Sequence, residues 1–134
     1  KKLKHASDGF LVASQWESAA QRVAEYGPTS SEFIKLYRQQ TNLPFDYPAA
    51  QGFVGGLIAG RCIELAGSTE QSALREVANQ LDCTTFYGRC AIDQNTGEQI
   101  GHEMLVTQWQ KGEKLLVWPP SVANARFRPR ELLD

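Results

Sequence analysis

Phe45-Asp-Tyr-Pro-Ala-Ala-Gln-Gly-Phe-Val-Gly-Gly-Leu-Ile-Ala-Gly-Arg-Cys-Ile-Glu-Leu-Ala-Gly67 is the stretch around which the rest of the chain is organised. Asp46 and Pro48 supply a helix start, since Asp accepts from first-turn amides and Pro is tolerated there. Gly67 supplies a stop, because a helix commonly ends on a left-handed residue that Gly adopts cheaply. Between them Val54, Leu57, Ile58, Cys62 and Leu65 recur at helical spacing. Gly52, Gly56 and Gly60 fall four apart on another face, and each costs about 1 kcal/mol relative to Ala inside a helix. That cost makes sense if something packs very close to the glycine face. The spacing therefore predicts a buried helix with the chain built against it.

At 134 residues the chain has the size of one domain, able to bury about two-thirds of its unfolded surface. With 42% hydrophobic and 22% charged residues, its composition is that of an ordinary globular protein. A net charge of −1 gives no basic footprint for nucleic acid. Lys1, Lys2 and Lys4 read as a solvated end. The quiet run from Ala49 to Ile58 is too short to span a bilayer, and Arg61 and Glu64 interrupt it. The chain opens in polar sequence with neither Met nor signal peptide, as expected of a piece of something longer or a processed product. Cys62, Cys83 and Cys90 are too few for a disulfide framework. Cys62 is read as a small core residue. Cys83 and Cys90 pair only if the chain folds back between them, whereas an extended spacing leaves them too far apart.

Gly9–Ser14 has the apolar character of a buried strand, and Ser18–Tyr26 carries a weak helical pattern ended by Gly27-Pro28. Thr29 and Glu32 have capping-box spacing, which starts a helix with Phe33, Ile34, Leu36 and Tyr37 on its face and an end near Gln40. Ser68 and Gln71 repeat that spacing before an amphipathic helix marked by Leu74, Val77, Ala78 and Leu81. After Asp82 short extended runs take over. Arg89–Asp93 reads as a strand, Gln94–Gly97 as a turn, and Met104–Gln110 with Lys114–Trp118 as a hairpin about Lys111-Gly112. Pro119-Pro120 ends strand pairing. The tail with Arg126, Arg128 and Arg130 is expected to be an extended surface strap. The order, strand then helices then strands, is an α/β or α+β layout.

Candidates for chemistry are few. Cys83 or Cys90 with His102 is the only Cys–His combination in the second half, and packing explains those residues better. Two histidines far apart in the chain do not supply local metal-ligand spacing, so no metal and no cofactor are expected. Gly52-Phe53-Val54-Gly55-Gly56 lies inside a helix and is no phosphate loop. Asp8, Asp46, Asp82 and Asp93 sit at element boundaries and read as cap or turn residues. Trp16 and Tyr47 stand where clefts form, although packing is the simpler role for both. Phe53 lines a cleft or fills the core.

Taken in order, Asp8–Glu17, Gly27-Pro28, Phe33–Tyr37, Tyr47–Phe53 and Ala66-Gly67-Ser68 form a series. It continues with Thr85-Phe86-Tyr87-Gly88, Asp93 with Gly97, Gly101-His102, Val106–Trp109 and Trp118-Pro119-Pro120. The set resembles the C-terminal part of type 1 periplasmic binding proteins, in particular the branched-chain amino acid and amide substrate-binding proteins of ABC importers. It covers about Asp8 to Pro120. The resemblance implies an α/β fold, a partial type 1 lobe of three or four helices followed by short β-strands and a C-terminal hairpin. It implies a two-lobed parent with three crossovers, one of them close to Ser14–Glu17, and the last strands returning to the other lobe.

By the same resemblance, Phe53 aligns with a cleft-facing aromatic near the start of the long helix, where Tyr is common. Tyr47 and Gln51 are weaker candidates at the same helix mouth. Free amides at a helix start suit an anionic group, and an aromatic wall suits an apolar side chain. The implied role is a non-enzymatic, extracytoplasmic solute-binding segment, read by an ABC permease or receptor partner when the lobes close on an amino acid or amide. A sensory receptor domain and a self-associating fragment without ligand competence are the alternatives. The groups clamping the ligand's charged ends would lie mostly in an N-terminal portion outside this sequence, and open edges would favour a homo-oligomer.

Overall fold

The structure is a computed structural model describing residues 4–43 and 45–132. In chain order it contains a 3-10 turn (Lys4–Ser7), β1 (Leu11–Ser14), α1 (Ser30–Gln40), α2 (Tyr47–Ala66), α3 (Gln71–Gln80), β2 (Asp82–Thr85) and β3 (Gly88–Ala91). After these come β4 (Leu105–Gln110), β5 (Glu113–Trp118) and a second 3-10 turn (Arg130–Leu132). Helix and antiparallel sheet are thus mixed, as the α/β or α+β layout requires. The chain divides into two units: the first runs to Gln21 and resumes at Met104, and the second is Arg22–Glu103.

The first unit is a three-stranded antiparallel sheet in the order β1-β4-β5. β4 and β5 form the expected hairpin, with Gln110 opposite Glu113. Lys111 (φ 54°) and Gly112 (φ 77°) both take left-handed conformations, the two-residue turn whose twist matches that of the flanking strands. The buried Asp8 carboxylate accepts from the Gly112 amide at 2.9 Å, acting as a turn residue. Ala20, Leu105 and Leu116 form the core of this unit, with Ala19 and Val122 against them. Trp16 is buried, in keeping with packing.

Two expectations fail here. The Gly9–Ser14 run does form a strand, pairing Leu11 with Gln108 and Ser14 with Leu105, but it is not buried. Phe10, Leu11 and Val12 are exposed, because β1 is an edge strand paired on one side only. Residues 18–26 form no helix. Instead the Glu25 and Tyr26 amides donate to the Thr84 carbonyl at 2.8 and 3.1 Å, and the Glu25 carboxylate accepts from the Thr84 amide at 2.8 Å. Backbone groups satisfied by a strand have no need of a helical turn.

The tail is a strap, as expected, and its anchor is specific. Gln108, buried in β4, donates to the Arg128 carbonyl (2.7 Å) and accepts from the Arg128 amide (3.0 Å). Gln110 donates to the Arg126 carbonyl (2.8 Å) and to Gln108 Oε1 (2.9 Å).

In the second unit α1 begins on the Thr29–Glu32 capping box. The Thr29 hydroxyl accepts from the Glu32 amide, and the Glu32 carboxylate accepts from the Thr29 amide. α2 stops on Gly67 in the left-handed conformation (φ 59°). At its start Asp46 holds the cap position but makes no side-chain cap hydrogen bond. For α3 the capping box does not form: Glu70 is the cap residue, and Ser68 accepts from the Glu70 amide instead. Leu74, Val77 and Ala78 pack as expected, against Leu81, Cys62 and Cys83. β2 and β3 form a hairpin turning at Phe86-Tyr87, so the strand expected over Arg89–Asp93 begins and ends earlier. Asp93 does shape the following turn, its carboxylate accepting from the Asn95 and Thr96 amides. Asp82 is no turn residue; it pairs with Arg89 across the hairpin.

The largest correction concerns α2. Only Ala50 and Cys62 are buried along it, and the glycine face is open. A Cβ placed on Gly52, Gly55, Gly56 or Gly60 meets nothing within 4 Å. With 100° of rotation per residue, Gly52, Gly56 and Gly60 centre on the side away from Ala50, Ile58 and Cys62, while Gly55 shares the direction of Cys62 and is open all the same. On that packed side, a Cβ on Gly27 would lie 2.6 Å from Leu57, and Tyr26 donates to Glu64. The chain is built against the side of the helix that carries Ala50, Leu57, Ile58 and Cys62, and no close packing compensates the glycines.

Candidate functional site

The start of α2 sits beside an aromatic cluster drawn from three elements of the second unit. Phe33 comes from the first turn of α1, where the capping box fixes the helix start and hence its direction. Phe86 occupies the turn between β2 and β3. Both are fully buried, and their rings stack at 4.8 Å between centroids. Phe53 completes the cluster at 5.1 Å from Phe33 and 6.2 Å from Phe86, with Tyr37 a further 5.8 Å from Phe33. Phe53 retains 39% of its surface in solvent. The two readings of this residue are therefore not exclusive: one side of the ring packs, and the rest is available.

Tyr87, next to Phe86, is buried and stacks on His102 at 5.1 Å. His102 is held there by Gln99, whose Oε1 accepts from the His102 amide at 3.2 Å and whose Nε2 donates to the Arg89 carbonyl at 3.0 Å. Gly88 has a positive φ of 150°, and a Cβ there would come within 2.7 Å of His102 Nδ1, so the small residue after the turn is what admits the imidazole. Burial first, and then the neighbouring Tyr47 oxygen, push the Tyr87 phenol above its ordinary pKa.

The three candidates from the sequence do not all converge. Tyr47, 44% exposed, and Gln51, also exposed, are one turn apart on the same side of α2. Phe53 lies about 160° around the helix from Gln51. Of the three, Phe53 packs in the aromatic cluster, whereas Tyr47 and Gln51 stand on another side of the helix mouth. Phe33, Phe86, Tyr87 and His102 are the members that sequence reasoning left out. Their signal was present in Thr85-Phe86-Tyr87-Gly88, two aromatic residues at the bend of a hairpin whose first strand was not recognised.

Chemically, the arrangement offers a half-exposed aromatic surface, phenol hydroxyls, and first-turn amides that the Asp46 side chain leaves uncapped. A cleft of about 360 Å³ opens elsewhere on the unit, lined by Arg61, Gln80, Asp82 and Cys83 among others, and none of the three candidates lines it. Among the described residues no helix is long and apolar enough to cross a membrane, and no group of His, Cys, Asp or Glu side chains is arranged to hold a metal ion. A scan against protein-family models gives no match to the chain, and a search of curated proteins gives none either.

Proposed function

We propose that the chain is a solute-binding segment of a type 1 periplasmic-binding-protein-like parent, acting outside the cytoplasm without catalysing a reaction. Its ligand class is amino acids or related amides, the branched-chain type first. The observation that carries this reading is the half-exposed Phe53 ring, backed by Phe33 and Phe86 at the uncapped start of α2. A ligand's apolar side chain meets the ring, while a carboxylate or amide oxygen is suited to the amides and the positive end of the helix dipole. Tyr47 and Gln51, one turn apart at the same helix mouth, are the weaker contacts. The division into two units adds support, because the chain leaves one and returns to it, as a chain crossing between lobes does. Binding is transmitted by population shift: the ligand favours a closed state of the parent, which an ABC permease or a receptor partner reads.

Thermal-shift and calorimetric titration with branched-chain amino acids and amides tests the proposal, using Phe53→Ala in the longest parent chain that encloses this sequence. Affinity should drop by about tenfold or more, the effect of losing about 1.5–3 kcal/mol of apolar contact, and binding should weaken more than folding does. Unchanged affinity with a large fall in melting temperature would assign Phe53 to packing alone. A second reading, self-association without ligand competence, is favoured by the open glycine face of α2 and the exposed apolar edge at Phe10–Val12. Light scattering separates the two, since a monomer at all concentrations excludes the second.

A further inference from the structure

The sequence scatters its three cysteines, but the second unit brings them to one apolar cluster. Cys83 on β2 and Cys90 on β3 are register partners across the hairpin. Facing residues of an antiparallel pair stand about 4.5–5.5 Å apart at Cα, and a disulfide spans about 4.4–6.8 Å. Partners in register also project from the same face of the ladder. The hairpin therefore already holds two free thiols at bridging distance. Cys62 reaches the same cluster from α2 but belongs to no strand pair. Cys83 keeps only 9% of its surface and Cys90 is less buried, but it is Cys83 that lines the cleft along α2 and α3, beside Arg61 and Gln80.

We propose that Cys83 is a thiol-exchange site for low-molecular-weight disulfides, glutathione disulfide being the type, and that Cys90 resolves the adduct into a Cys83–Cys90 bridge. In the first step the Cys83 thiolate attacks one sulfur of the small disulfide. A mixed disulfide forms, and one small thiolate leaves. In the second step the Cys90 thiolate attacks Cys83 Sγ, the bond to the small molecule breaks, and the second small thiolate leaves. Two protein thiols are oxidised and one small disulfide is reduced; the two protons lost by Cys83 and Cys90 end on the two released thiols. Burial raises the pKa of both thiols, so exchange accelerates as pH rises, by about tenfold per unit while each sulfur remains mostly protonated. None of this depends on what the α2 mouth binds.

The test treats the folded 134-residue chain with glutathione disulfide, blocks remaining thiols, and maps peptides without reduction. The expected result is a fall from three free thiols to one, with Cys83 joined to Cys90 and Cys62 still reduced. Cys90→Ser should stop at a glutathione adduct on Cys83. Cys62→Ser should still lose both of its remaining thiols, which keeps the test sound if Cys90→Ser folds poorly. Retention of all three thiols, a bridge that includes Cys62, or bridges only between chains would overturn the proposal.

Discussion

Gly56→Ala should raise the stability of this chain. In a helix interior Ala is favoured over Gly by about 0.8–1.0 kcal/mol, because the glycine backbone loses more freedom on folding. That gain is realised only where the new methyl group meets no obstacle, and a Cβ at Gly56 has nothing within 4 Å. With an unfolding entropy of about 2.1 cal/mol/K per residue, a chain of 134 residues has about 0.28 kcal/mol/K in total, so the melting temperature should rise by roughly 3–4 °C. Adding Gly60→Ala, open to the same extent, should raise it further, the two methyl groups being neighbours one turn apart on the helix and so coupled in their effect. Helix content read by circular dichroism during heating and urea titration measures both variants. An unchanged or lowered melting temperature would refute the reasoning, because it would mean that another surface occupies the glycine face in solution. A lowered value that recovers on dilution would identify that surface as a second copy of the chain.

Gly101→Ala should act in the opposite direction. A Cβ there would stand 2.9 Å from the Ala91 nitrogen and 3.0 Å from the Arg89 oxygen, backbone atoms that cannot swing aside, so a loss of about 1–3 kcal/mol is expected, read from the urea midpoint. Stability should also decline in acid. The Arg89 hydrogen bond holds the Asp82 carboxyl below its usual pKa, the Thr96 and Asn95 amides do the same for Asp93, and the Thr29 amide and hydroxyl do so for Glu32. A carboxyl lowered on folding contributes above its unfolded pKa and loses that contribution as pH falls through its folded value. The urea midpoint should therefore fall as the pH drops below the ordinary carboxylate range, and Asp93→Asn should flatten the decline. An acid limb equally steep in that variant would count against Asp93 as a contributor.

What was legible in the sequence was mostly local. The Thr29–Glu32 capping box, the Gly67 stop and the Lys111-Gly112 turn each involve partners within a few residues, so spacing alone identifies them. The failures share a different cause. Ser18–Tyr26 has a weak helical pattern, but Glu25 and Tyr26 bond to Thr84, far along the chain. Cys83 and Cys90 face one another through a turn made of Phe86-Tyr87, a pair carrying none of the Asn or Gly that usually marks a hairpin. Three glycines four apart express a real cost in helix propensity, but that cost does not say which surface, if any, compensates it. At the candidate site, Phe53 and Tyr47 were legible as residues near a helix start. Phe86, which packs on Phe53, required knowledge of which hairpin bend stands beside that helix.

The glutamine pair in β4 has a consequence for how the C-terminal residues tolerate change. Gln108 and Gln110 grip the tail through the carbonyl oxygens of Arg126 and Arg128 and the amide of Arg128, groups common to almost every amino acid. The seat is thus indifferent to side-chain identity but strict about count: replacing either arginine preserves every one of these bonds, whereas inserting a single residue between them shifts one carbonyl out of reach. Proline at position 128 is the exception among substitutions, since it has no amide hydrogen to give Gln108. Length, rather than composition, is what this strap conserves.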